Sequence, residues 1–208
     1  QNLIKKSKLY EIDKIYWLVE DCKKYGTLPF AGLARCGFIA IEILNSLKDL
    51  DYITEKDKSN FLSNVNTVVI EIKRDYLKLS KQSFLKKYGH LRPGTYEIDV
   101  PNYKENYNKY FNNQKKLLPS FKKIVNINNK IKKPLKKIGI YKNPSELIKF
   151  MRESIAQREF SKFIFSKSID LIFENLIKFG KKYNISREEL SYVKINSILD
   201  IYFNLSNY

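Results

Sequence analysis

Histidine occurs once in the 208 residues, at position 90, and cysteine only at positions 22 and 36. Neither cysteine has the Cys-x-x-Cys spacing or the neighbouring histidine of a zinc site, so no zinc site is expected and both read as reduced thiols buried in helices. No apolar run approaches the roughly 18 residues of a membrane span, and the lysines between Gln1 and Lys8 precede no signal-like apolar core. A soluble cytoplasmic protein with no membrane partner is the expectation. There is no phosphate-cradling glycine-rich loop, no nucleophile elbow and no separable carboxylate pair, so no catalytic residue and no metal ligand are assigned.

Acids are missing from one long stretch. Between Asn106 and Ser145 there is none, whereas eleven of the 33 lysines fall there, so much of the formal charge of +17 is local. The segment from about 106 to 143 reads as a mobile lysine-rich insert that the core does not need, with broken helices. It also keeps open an alternative function, a helical nucleic-acid-binding module using Lys115 to Lys142 as a phosphate track. That alternative ranks second, because lysine is used freely throughout. Only six arginines occur (Arg35, Arg74, Arg92, Arg152, Arg158, Arg187). They are the more informative cations, since a planar guanidinium fits carboxylate and phosphate.

With 43 % apolar residues the chain folds, and its periodicity is helical throughout. Ile12, Ile15, Tyr16, Val19 and Cys22 predict a helix that stops at Gly26. Thr27 and Pro29 restart a second one, whose opening is rich in small residues that let a backbone or ligand come close. Thr54 to Asp57 predicts a capping box and one long third helix reaching Leu79. Asn143-Pro-Ser-Glu predicts the start of the longest helix, through Lys182, with Ser166 or Ser168 as a kink; Gly180 and Asn184 end it, and Ser186 to Glu189 caps a short successor. The fold class expected is all-α, an irregular helical domain over 1–208, built around a Gly/Pro loop at 88–100 that packs on the long helix.

That loop, Tyr88-Gly-His-Leu-Arg-Pro-Gly-Thr-Tyr-Glu-Ile-Asp99, carries the strongest candidates. Gly89 is expected to end a helix in the left-handed region, while Pro93 and Gly94 hold His90 and Arg92 in irregular backbone. His90 reads either as a base or phosphoryl acceptor, or as a ring bonded to its own backbone. Arg92 either grips an anion or pairs with Glu97 or Asp99. On the long helix Arg158 and Lys162 stand four apart on one face beside Glu159, which favours an anionic ligand there.

Four blocks, KKYGTLPFAGLAR, FLKKYGHLRPGTYEID, ESIAQREFSKFIFSKSID and ISREELSYVKINSILD, resemble the helical middle region of phosphoenolpyruvate-synthase-like phosphotransferases. That group includes rifampin phosphotransferase and the L-glutamine kinases of capsular phosphoramidate synthesis, and the kinase branch is the one resembled most. The resemblance covers most of residues 9 to 200 apart from the lysine-rich insert. It implies a substrate-binding domain of a larger kinase of capsule biosynthesis, inactive without an ATP-grasp domain before it and a swivelling phosphohistidine domain after it. ATP and Mg belong to the nucleotide domain, and no cofactor belongs to this fragment. The acceptor is a small molecule, with L-glutamine the candidate. The family's Gly-His loop matches His90 and Arg92, and its helix cations match Arg158 and Lys162; Glu97, Asp99, Glu159 and Arg35 complete the expected substrate-binding set. The expectation is that Arg92, Arg158 and Lys162, with His90 nearby, line one pocket.

Overall fold

The computed structural model describes residues 2–111, 128–139 and 143–205. It is 77 % helical, without a strand among the described residues, as the periodicity predicts. In chain order the helices are α1 (Asn2–Lys6), α2 (Glu11–Asp21), α3 (Leu28–Asp49), α4 (Glu55–Ser63), α5 (Val68–Lys78), α6 (Lys81–Tyr88), α7 (Tyr107–Phe111), α8 (Asn128–Ile138), α9 (Pro144–Lys182), α10 (Arg187–Tyr192) and α11 (Ile195–Leu205).

The chain divides into two compact units where the sequence reads as one domain. The first comprises Gln1–Pro29, Leu79–Gln114 and Lys162–Tyr208; the second comprises Phe30–Lys78 and Lys115–Ser161. In the first, Ile15 and Leu18 of α2 are buried, as are Phe84 and Tyr88 of α6 and Ile172 of α9. Phe84 lies 5.0 Å from the Tyr88 ring and 5.1 Å from Phe111, and Tyr88 lies 5.7 Å from Phe163. Burying each large aromatic removes enough surface from water to stabilise the fold by about 1.5–3 kcal/mol. In the second unit Ala40, Leu44 and Leu47 of α3 meet Phe61 of α4, Ile131 and Leu135 of α8, and Leu147, Ile148 and Met151 of α9.

Three boundaries differ from expectation. Gly26 does not stop a helix. A π-helical turn, Cys22–Thr27, joins α2 to α3, and its wider ring lets the Leu28 N–H reach the Lys23 carbonyl just before Pro29, which has no N–H to give. Gly26 serves a close approach instead, since a Cβ there would stand 2.9 Å from Cβ of Phe165. The resulting helical run, Glu11–Asp49, is by length and composition apolar enough to cross a membrane, a correction to the reading that no such stretch exists. Second, the expected long third helix is two. The Asn64 side chain donates to the Asn60 carbonyl at 2.7 Å and its own N–H to Phe61, closing α4 before α5 begins. Third, Gly89 follows α6 at φ −59°, ψ −25°, in the right-handed region and not the left-handed one.

The local caps appear where the sequence places them. Thr54 Oγ1 accepts from the Asp57 N–H at 3.1 Å while Asp57 accepts from the Thr54 N–H at 3.0 Å. Asn143 Oδ1 accepts from Ser145 N–H at 3.1 Å ahead of Pro144, and Ser186 with Glu189 forms the box that opens α10. Helix α9 runs unbroken through Ser166 and Ser168, and Asn184 turns left-handed (φ 58°) after it.

Of the lysine-rich insert, residues 112–127 and 140–142 lie outside the described residues, and with them much of the phosphate track at Lys115 to Lys142. The described part, α8, is integral to the second unit, because Ile131 and Leu135 are buried there. Lys130 Nζ bonds Asp57 at 2.8 Å, and with the Thr54 N–H it holds that carboxyl down at about 2. The expectation that this stretch is dispensable to the core is corrected for α8.

Candidate functional site

The irregular segment from Gly89 to Asn106 packs on α9, and two arginines decide its shape. Arg92 is 7 % exposed. Its Nη2 pairs with Oδ1 of Asp170 on α9, and its Nη1 donates to the carbonyls of Val100 (3.1 Å) and Glu97 (3.4 Å). The guanidinium also lies 4.9 Å over the Phe173 ring. Asn102 Nδ2 bonds the same Asp170 oxygen at 3.0 Å. Burial pushes the Asp170 carboxyl up from its ordinary value, and the bonds from Asn102 and Arg92 work against that.

Arg187, on α10, completes the clamp. Its Nε donates to the Ile98 carbonyl and its Nη2 to Val100 at 3.3 Å, while Nη1 and Nη2 hold the two Glu105 oxygens at 3.1 and 3.2 Å. Three consecutive-region carbonyls that no helix or sheet would satisfy thus receive charged donors. Arg92 pairs with neither Glu97 nor Asp99, and its guanidinium is committed within the fold.

His90 is half-buried. Its Nε2 lies 3.3 Å from the Phe163 carbonyl, an acceptor only, so this nitrogen carries the proton and donates. Its ring sits 5.0 Å from that of Phe163. Burial, with Lys167 and Arg92 nearby, pushes the imidazole down to about 4, and it is neutral at pH 7. The histidine bonds backbone, as the simpler reading has it, but that of α9 and not its own.

The second unit contains Arg158, Glu159 and Arg35. Arg158 is positioned without being consumed. Its guanidinium lies 5.0 Å over the Phe38 ring, and Gly37 makes room for the stem, a Cβ at that position falling 2.9 Å from Arg158 Cδ. Glu159 is 3.8 Å from Nη1, beyond hydrogen-bond range, and the buried Nε of Arg158 has no hydrogen-bond partner. A buried guanidinium donor without an acceptor is costly, and the ring contact with Phe38 offsets part of that cost. Arg35 is exposed. Lys162, half-buried on α9, is in no ion pair among the described residues.

A cavity of about 590 Å³ opens in the first unit under the clamped segment, lined by Val19, Tyr96 to Asp99, Ile169, Ile172, Phe173, Leu176, Leu190, Ser191, Val193, Ile195 and Ile198. Of the expected substrate-binding residues only Glu97 and Asp99 line it; Arg92, His90, Arg158, Lys162, Glu159 and Arg35 do not. Asp170, Asn102 and Arg187, which hold the segment, are not among the expected substrate-binding residues. Asp170 and Arg187 stand inside the resembling blocks, but their partners lie 78 and 89 residues away in sequence. Cys22 is buried and Cys36 half-buried, both as free thiols, and no group of three metal-ligating side chains forms among the described residues. No family model, curated protein or solved structure matches the chain.

Proposed function

We propose that this chain is the acceptor-binding domain of a cytoplasmic ATP-dependent phosphotransferase of the phosphoenolpyruvate-synthase-like group, with L-glutamine as its acceptor. The observation that carries the reading is Arg158. It stands in the block that resembles the family's acceptor helix, it is stacked on Phe38 and backed by Gly37, and its side chain is partly open to solvent. The Arg158 side chain is 35 % exposed, so an acceptor carboxylate can meet the open part of its guanidinium, and Glu159 beside it is placed for an ammonium, so one helical turn offers both halves of a zwitterion. A phosphoryl group brought by a histidine of another domain is also anionic, and a fixed cation at the meeting point offsets the repulsion without reorganising. ATP and Mg act in the nucleotide domain.

The test uses the full-length enzyme. Arg158→Ala lowers acceptor-dependent turnover by about 10- to 1000-fold, the range for losing one preorganised charge contact, and leaves the ATP-side partial reaction intact. Arg158→Lys recovers little, because the bidentate fork is lost. Wild-type acceptor kinetics in Arg158→Ala would remove the assignment. The present chain alone turns over no ATP in this reading, which a phosphate-release assay checks.

A further inference from the structure

The 590 Å³ cavity of the first unit has a chemistry of its own. Its walls come from four helices and are apolar: Val19 of α2, Ile172 and Phe173 of α9, Leu190 of α10 and Ile198 of α11. Its size is that of a pocket for a small organic molecule. Among the described residues, Glu97 and Asp99 are the only charged residues that line it. In a protein with 39 lysines and arginines against 22 acids, a lining whose charge is wholly acidic is the reverse of what composition supplies. Both carboxylates are exposed, and neither is in an ion pair among the described residues. The nearby cations do not neutralise them: Arg92 is paired with Asp170 and Arg187 with Glu105.

The backbone that carries the two acids is also held in place, and the Glu97 carboxylate lies against Gly94. The backbone carbonyls of Glu97, Ile98 and Val100 each accept a hydrogen bond from Arg92 or Arg187, so the segment bearing the carboxylates does not need ordering when a ligand arrives. Phe173, which carries the Arg92 guanidinium over its ring, and Tyr96, stacked on Phe165, add apolar wall to the lining. From these features we infer that the cavity is a binding site for a small organic amine, its ammonium held by Glu97 and Asp99 and its apolar body within the walls. An acid with the same body is rejected, because two carboxylates would face a third. The inference does not rest on the phosphotransferase reading, and it concerns a different set of residues from Arg158.

The test is direct binding to the present chain, by calorimetry at low salt, of three probes with similar bodies: 2-phenylethylamine, 2-phenylethanol and phenylacetate. The amine binds about 5- to 10-fold more tightly than the alcohol, the gain expected from two solvent-facing carboxylates, and phenylacetate does not bind. Raising the salt weakens the amine and leaves the alcohol unchanged. In the double variant Glu97→Gln/Asp99→Asn, amine affinity falls to that of the alcohol. Both positions are exposed, so the variant folds, and its unchanged affinity for the alcohol verifies that the cavity is intact. Equal binding of amine and alcohol, binding of phenylacetate, or no binding of the amine at millimolar concentration overturns the inference. None of these outcomes involves ATP or turnover, so the Arg158 proposal stands or falls separately.

Discussion

Arg92 and Arg158 come from the same short list of arginines, and the sequence treats them as equals, yet the two units use them in opposite ways. Arg92 is buried, paired with Asp170 and bonded to two carbonyls of its own segment. Arg158 rests on an aromatic ring with one buried nitrogen unanswered. A buried cation paired with a carboxylate and bonded to two carbonyls builds structure, and one resting on a ring with part of its side chain open to solvent is available to a ligand. Burial and partners separate the two cases alike: the Arg92 side chain is 3 % exposed and that of Arg158 35 %.

The two arginines differ most in what their loss does to stability. Arg92→Ala leaves Asp170 buried with only the Asn102 amide as partner and costs about 3–5 kcal/mol in a urea melt, whereas replacing both charged partners with apolar residues recovers part of the loss. A loss below 1 kcal/mol would mean that the pair does not organise the segment. Arg187→Ala costs less, about 1–2 kcal/mol, since Arg187 and Glu105 are partly open to solvent. Its sharper signature is faster proteolysis between Gly94 and Val100, and unchanged cleavage there would contradict the clamp.

A smaller effect is gated by pH. The folded His90 imidazole titrates near 4, below its ordinary 6.5. As pH falls from 6.5 towards 4 the unfolded chain binds a proton that the folded ring refuses, so stability declines across that window and is flat above it. His90→Gln should flatten the decline, and the ring's NMR titration should give a midpoint near 4. The smallest change in stability belongs to Arg158→Ala, roughly 0.5–1 kcal/mol for the lost ring contact, even though this variant has the largest expected effect on acceptor turnover. A large destabilisation would place Arg158 with Arg92 as a structural cation.

The parts of the fold legible in the sequence are those settled within four residues. The Thr54–Asp57 and Ser186–Glu189 boxes, the Asn143 cap and the start of α9 follow from side chains bonding neighbouring backbone. What was not legible depends on distant partners. Gly26 looks like a helix stop until Phe165 is packed against it, and Arg92 looks like a ligand site until Asp170, one acid among many on an amphipathic helix, is brought beneath it. The candidate site was half legible for the same reason. The irregular loop and its two carboxylates were expected, but the apolar walls that give Glu97 and Asp99 a cavity come from four helices dispersed along the chain.

The clamp also fixes an order of events in folding. The segment's two fasteners join residues 78 and 89 positions apart, so each closes a long loop of chain before it returns any bond. During synthesis Arg92 emerges well ahead of Asp170, and Ile98 well ahead of Arg187. Helix α6 and the aromatic cluster of Phe84, Tyr88 and Phe111 can form early from local sequence, whereas the loop takes its final shape only once α9 and α10 have left the ribosome. The cavity beneath the loop is therefore among the last features of the first unit to appear.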